Sequence, residues 1–298
     1  VCTSSLDDPL PIEVLISTVA ALLEGVRHVA VGASSPIPGA GALLARALSC
    51  NLADTTPCAQ RLGTPEADLE ADSGVRSLPR SRRVRVSILG SRRHHAMTNG
   101  GVELFDLAAT GRIDAFFLGG GQIDAAANIN LVGIGDYPST LTRWPGSFGS
   151  AYLYHLVRRV ILFRLEHSRR VFVPRVDFVS ACGSSPEGEY RPGGPIALLT
   201  GLCLFRFDRD RRRFVLQSVH PPHTLEEVRD QTGFDFDLAP GLAATPLPGD
   251  QALALMRGAI REEIAETYPE FARTWSQSFE TGGDRSETVA KIGAALQG

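Results

Sequence analysis

A chain of 298 residues with 43% hydrophobic and 21% charged residues has the balance of an ordinary globular protein, which excludes a disordered or fibrous one. Its formal net charge of -3 lacks the concentrated positive field on which nucleic-acid binding rests, so no nucleic-acid partner is expected. Cys2, Cys50, Cys58, Cys182 and Cys203 form neither CxxC pairs nor a dense disulfide framework, so no metal site is expected and the reading is a reducing cytoplasm.

In chain order, residues 10–24 (LPIEVLISTVAALLE) fit a largely buried helix that Gly25 ends. The apolar part, Val14 to Leu23, is too short to span a bilayer and follows acidic Asp7 and Asp8, so neither a membrane segment nor a targeting segment is read here. Val26 to Val31 predicts a first strand, followed by a glycine-rich turn and a small-residue helix from Ala40 to Leu48, the start of a βαβ unit. Gly39 and Gly41 do not complete a dinucleotide-binding fingerprint. Residues 50–83 mix prolines, acids and arginines without apolar periodicity and read as an exposed insertion. A strand over Val84 to Leu89 ends in Gly90, Ser91, Arg92, Arg93, His94 and His95; the adjacent histidines point to opposite faces, a poor metal pair, and are expected to meet solvent or phosphate.

A helix over Gly101 to Thr110 feeds the most informative stretch, 113–150. It opens with a short apolar strand, Ala115 to Leu118, and passes at once into Gly119, Gly120 and Gly121, whose missing Cβ lets a ligand approach the main chain. Gln122, Asp124, Asn128 and Asn130 then crowd hydrogen-bonding side chains between apolar neighbours, which favours a binding site. Gly146, Ser147 and Gly149 precede a helix from Ala151 and offer free amides to a carboxylate or phosphate. On this reading Gly120→Val or Gly149→Val removes ligand binding and leaves the fold intact. Further strands are predicted over Val160 to Phe163, Arg170 to Val179, Ile196 to Phe207 and Phe214 to Val219, the last two joined by a charged hairpin turn. Thr224 caps a helix over LEEVRDQ, with Glu227 completing a capping-box pattern, and Ala252 to Ile264 forms a last long helix before a polar tail from about 267. The arginine clusters 80–85, 169–170 and 209–213 read as solvated faces.

The ordered set FFLGGGQIDAAANIN, IGDY, WPGSFGSAYLYHLVRRVILFRLEHSRRVFVPRVDFVS and HPPHTLEEVRDQTGFDFD resembles the β subunits of family I coenzyme A transferases, of the glutaconate type, from about Ile12 to Glu263. The resemblance implies an α/β fold with an open, mostly parallel sheet flanked by helices, of the CoA-transferase (NagB/RpiA-like) type, here a single domain over 1–298. It also implies acyl-CoA thioesters as substrates with no further cofactor, an α-type subunit as partner in an α2β2 assembly, and a site between the subunits. One departure stands out. Where these transferases carry the glutamate that forms covalent acyl and CoA intermediates, this chain has Gly90 followed by Ser91, so the catalytic nucleophile is not identified. Gly90 and Ser91 join the glycine triplet, the polar residues and the 146–149 turn as the expected substrate-binding set. Glu103 on the next helix can in principle reach the site, although a solvated helix residue is the role its position favours. Three readings follow: a transferase β subunit whose nucleophile comes from elsewhere, a subunit of a CoA-thioester hydrolase of the ring-opening kind, and a non-catalytic CoA-binding or structural subunit.

Overall fold

The computed structural model describes residues 8–51, 83–95 and 97–280; most of the insertion expected over 50–83 therefore lies outside the described residues. Among the described residues eight strands form one sheet: β1 (His28–Val31), β2 (Arg85–Ile88), β3 (Ala115–Leu118), β8 (Arg159–Arg164), β9 (Pro195–Thr200), β10 (Cys203–Asp208), β11 (Arg213–Val219) and β12 (Asp237–Ala244). Their order across the sheet is β12-β11-β10-β9-β8-β3-β1-β2. Only β10 runs antiparallel to its neighbours, so the sheet is open and mostly parallel, as expected. Two short ribbons, β4 (Gln122–Ile123) with β5 (Ile129–Asn130) and β6 (Gly133–Ile134) with β7 (Thr142–Arg143), lie outside it.

Both faces of the sheet are covered, which is why β1 is buried at every position and, after His28, reads as the apolar run VAV. Successive side chains alternate between faces. Val29, Val31, Ala115 and Phe117 pack with α1 (Pro11–Leu22), α2 (Pro36–Asn51) and the carboxyl-terminal helices. Ala30 and Phe116 face the other layer, with α3 (Gly100–Ala109), α4 (Ser150–Leu156) and α5 (Leu225–Gln231). Helix α1 comes close to α2 because Gly41 has no side chain: a Cβ there would stand 2.3 Å from Val19 Cγ1.

Several sequence expectations need correction. Arg170 to Val179 is not a strand; Phe172 makes only an isolated bridge to Ile123. The long strand expected over Ile196 to Phe207 is two antiparallel strands, β9 and β10, joined by a turn at Gly201 and Leu202. The expected last helix is broken into α6 (Asp250–Leu255), a π-helical turn (Met256–Ile260) with non-helical Gly258, and α7 (Arg261–Ala265). The polar tail does not begin at 267, since α8 (Pro269–Glu280) buries Phe271, Ala272 and Trp275 on one face. Thr224 caps α5 as expected, accepting from Glu227 N at 3.2 Å, but the Glu227 carboxylate turns to His223 Nδ1 at 3.0 Å and leaves the capping box half made. No helix among the described residues is long and apolar enough to cross a membrane.

Candidate active site

Because β1, β2, β3 and β8 are parallel, their carboxyl ends share one edge of the sheet, the place where open α/β folds bind ligands. Gly90 follows β2 with φ of 90°, a left-handed conformation that favours glycine, and a Cβ built there meets nothing within 4 Å. The position offers open space and no chemical group. Ser91 beside it is buried. Its hydroxyl donates to Glu266 Oε2 at 2.6 Å and accepts from His94 N at 2.9 Å.

Glu266 stands just beyond α7 and also accepts from Arg92 N at 2.9 Å and Thr267 Oγ1 at 2.8 Å. The Ser91 hydroxyl above all, with the Arg92 amide and Thr267, holds this carboxyl down to about 2. A carboxylate so reluctant to take a proton is a poor general base, so Ser91 is anchored here and is not activated as a nucleophile. Next to it Glu263 pairs with Arg46 and lies 3.5 Å from His94 Nε2. His94 is thus buried, not exposed to solvent as expected, and burial first, then Arg46, lowers its pKa. Tyr268 completes the cover: its hydroxyl accepts from Ser35 N at 3.3 Å and donates to Gly32 O at 3.4 Å in the turn after β1. Sequence reasoning misses the 263–268 segment, although Glu263 and Glu266 share a helix face at i, i+3 spacing. Glu103, the other candidate carboxylate, is occupied at the start of α3, where Oε1 accepts from Thr98 N at 2.9 Å and Asn99 N at 2.8 Å.

The glycine triplet follows β3, but none of the three adopts a positive φ. Each is glycine because something stands where a Cβ would be: Phe163 O at 3.1 Å from that of Gly119, Gln122 O at 2.7 Å from that of Gly120, and the Trp144 ring at 2.3 Å from that of Gly121. Gly149 has φ of 65° and the Phe105 ring 2.3 Å from its Cβ position. The expectation that a branched side chain at Gly120 or Gly149 spares the fold therefore does not hold. Gly120→Val and Gly121→Val should each destabilise the chain by about 1–3 kcal/mol or more through overpacking. Urea midpoints unchanged from the parent would contradict this packing role.

The polar residues after the triplet turn inward. Asp124 Oδ1 accepts from Ala126 N and Asn128 N at 3.0 and 3.1 Å, and its Oδ2 accepts from Asn128 Nδ2 at 3.1 Å. Asn130 Nδ2 donates to Gln122 Oε1 at 2.8 Å and to Gly133 O at 2.7 Å, while its Oδ1 accepts from Val132 N at 2.9 Å. Gln122 Oε1 also accepts from Asp177 N at 3.0 Å, and Asn128 Oδ1 from Gly183 N at 3.1 Å. These contacts stitch the β4–β5 ribbon to the 176–183 segment, which gives the polar cluster a structural use. Gly146 packs on Leu131, whose carbonyl oxygen is 2.8 Å from its Cβ position, and Ser147, at φ of 93°, offers its carbonyl to Ser150 Oγ at 3.2 Å. Trp144 and Gly146 thus bring the 146–149 turn against the triplet and the ribbon, whereas Gly90 and Ser91 lie on the far side of β1.

Farther along the same edge, His167 bridges Thr200 Oγ1 at 2.8 Å and Thr232 Oγ1 at 2.9 Å, and His220 meets Thr245 Oγ1 at 2.7 Å. Burial, and to a lesser degree the neighbouring histidines, pushes His167 down to about 3; burial pushes His220 down to about 4. Burial also drives the Cys203 thiol up to about 12, which leaves it unreactive. No group of three or more potential metal ligands occurs among the described residues.

With this geometry in hand, comparison with known proteins is informative. The family model described as coenzyme A transferase matches residues 41–231. One subunit of the 3-oxoadipate CoA-transferase of Pseudomonas knackmussii is 34% identical over 153 residues, which is 49% of this chain and 58% of the relative. The IpdB subunit of the cholesterol ring-cleaving hydrolase of Rhodococcus jostii is 29% identical over 163 residues, 53% of this chain and 63% of the relative. The chain thus spans a little over half the length of these curated relatives. The crystal structure of glutaconate coenzyme A-transferase from Acidaminococcus fermentans superposes with a TM-score of 0.64 at 21% identity, covering 84% of this chain and 94% of that one, a likeness of fold.

Proposed function

Because the chain belongs to the coenzyme A transferase family, we propose that it is the β-type subunit of a heteromeric enzyme acting on acyl-CoA thioesters, with the nucleophile supplied by an α-type partner in an α2β2 assembly. The observation that carries this reading is the end of β2: open space over Gly90, and a neighbouring Ser91 whose hydroxyl is tied to a strongly acidic Glu266. In a transfer reaction a carboxylate attacks the thioester carbonyl and expels the CoA thiolate. The thiolate then attacks the resulting anhydride, releasing the acyl group as a carboxylate and leaving CoA on the enzyme as a thioester. This chain contributes the walls of that site, and the space at Gly90 admits either the partner's carboxylate or a water molecule. Water as the acyl acceptor gives the hydrolase reading, which the likeness to the IpdB subunit supports. A purely structural subunit is the remaining reading.

Co-expression with an α-type coenzyme A transferase subunit tests the proposal. The chain alone should neither transfer nor hydrolyse acyl groups, and the purified complex should do one of the two. Full activity of the isolated chain, or a wild-type CoA adduct mapping to Glu266 or Glu103, would overturn it. In the complex Gly90→Glu should acquire a CoA thioester trappable with borohydride or hydroxylamine, at a stability cost of about 1–2 kcal/mol for a side chain in the left-handed region.

A further inference from the structure

Arginines from separated parts of the sequence meet in one cleft of about 750 Å³, lined by Arg169 from the loop after β8, Arg211, Arg212 and Arg213 from the β10–β11 turn, and Arg229 from the last turn of α5. A solvated face would spread such groups over convex surface; here they converge on a concavity in a chain whose formal charge is -3. Among the described residues the one carboxylate in the lining is Asp235. Behind it Asp237, at the start of β12, takes Arg211 Nη1 at 2.7 Å and Arg213 Nε at 3.0 Å and sets the two guanidiniums side by side. A guanidinium carries five N–H donors, so this shared carboxylate leaves most of them for another acceptor. Arg169 is fixed independently by its Nε on Asp230 O. Arg212 sits in the left-handed region at φ of 51°, and its Nη2 makes a long 3.5 Å contact to Ser185 O.

Apart from Thr232, the rest of the lining is apolar. Phe234 and Phe236 line it with Pro174 and Gly233, and the two rings are braced from behind, Phe234 stacked on Phe214 at 5.5 Å and Phe236 edge-on to Phe205 at 5.0 Å. Gly233 permits this narrow wall, since a Cβ there would stand 2.1 Å from Phe172 O. A lone phosphate would leave most of the volume empty, whereas small-molecule sites run to roughly 300–1,000 Å³. Planar guanidiniums hold phosphate oxygens in pairs, and an aromatic wall suits a flat ring. We propose that this cleft binds a nucleoside diphosphate, its phosphates on Arg169, Arg211, Arg212 and Arg229 and its base against Phe236. The group comes either from a free nucleotide or from the nucleotide end of coenzyme A, and the second source rests on the function proposed above.

The test is an equilibrium titration of the full chain with a fluorescent ADP analogue, which requires no turnover and therefore stands or falls apart from the enzymatic reading. Arg212→Ala/Arg229→Ala is the variant of choice, because neither residue belongs to the Asp237 pair, and far-UV circular dichroism verifies its fold. Saturable binding that weakens with salt and drops roughly tenfold or more in the variant is expected. Arg170→Ala, whose guanidinium pairs with Glu166 outside the lining, should leave affinity unchanged. Competition identifies the source: displacement by coenzyme A and not by phosphopantetheine assigns the cleft to the CoA nucleotide, while ADP binding that coenzyme A does not displace assigns it to a free nucleotide. Absence of saturable ADP binding, equal affinity in the double variant, or binding of an acidic peptide with none of ADP would overturn the proposal.

Discussion

Glu13→Ala should cost the folded chain about 3–5 kcal/mol, a large share of the stability of any single domain. The Glu13 side chain is fully buried in α1, with Oε1 accepting from Arg257 Nε at 2.8 Å and Oε2 from Arg257 Nη2 at 2.9 Å. The same Oε2 reaches back to Leu10 N at 2.8 Å and satisfies an amide that the first turn of the helix leaves open. Alanine removes the acceptor of three hydrogen bonds and the buried carboxylate that faces the Arg257 guanidinium, whose Nη2 also donates to Asp8 O at 3.2 Å. The cost comes mainly from breaking one side of a buried pair and not from the net worth of the pair, so replacing both residues with apolar ones of similar size should recover much of the loss. A double-mutant cycle of Glu13→Leu and Arg257→Met, read by urea midpoints, separates the two. If Glu13→Ala shifted stability by less than about 1 kcal/mol, the pair would be an incidental contact.

Acid should destabilise the chain well before its carboxylates titrate. The His167 and His220 rings stay neutral in the folded state down to about 3 and about 4, against an ordinary value of 6.5 in the unfolded chain. Between those limits the unfolded chain binds more protons, so stability is complete above pH 6.5 and falls as the pH drops through the window. Two such groups together remove about 4 kcal/mol by pH 5. His28 and His94, both lowered chiefly by burial, act in the same direction. Denaturation at pH 7 and pH 5 measures the slope, and His167→Gln should reduce proton uptake on unfolding by close to one. Equal stability at the two pH values, or an unchanged slope in the variant, would mean that these rings are protonated in the folded chain.

What the sequence reveals and what it hides have different physical ranges. Ala115 to Leu118 is legible as a strand with its observed bounds because a buried parallel strand advertises itself as a short apolar run. Thr224 likewise announces α5, since a cap is a local hydrogen bond. By contrast β12, with the sequence DLAPGLAA, is half exposed and owes its existence to pairing with β11. Within the site, the sequence displays Gln122, Asp124, Asn128 and Asn130 as hydrogen-bonding groups but not their partners. Some of those partners, such as Asp177 N and Gly183 N, lie 55 residues away and use up acceptors that a ligand was expected to meet. The glycines do mark places of close approach. What approaches is the chain itself, as Trp144 does at Gly121.

The kinked helix that ends in Glu266 also sets an order of events during synthesis. Arg257 and Glu13 lie 244 positions apart, Glu263 and Arg46 217, and Glu266 and Ser91 175. When α1 and α2 leave the ribosome, the guanidinium for Glu13 and the carboxylates for Arg46 and Ser91 do not yet exist. At about 5–20 residues per second, the interval before they emerge is on the order of ten to fifty seconds. Through that time the apolar flank of α1 and α2, later covered by Ile260, Ile264 and Trp275, stays uncovered on the nascent chain. Contacts of such long sequence separation slow the completion of this half of the molecule.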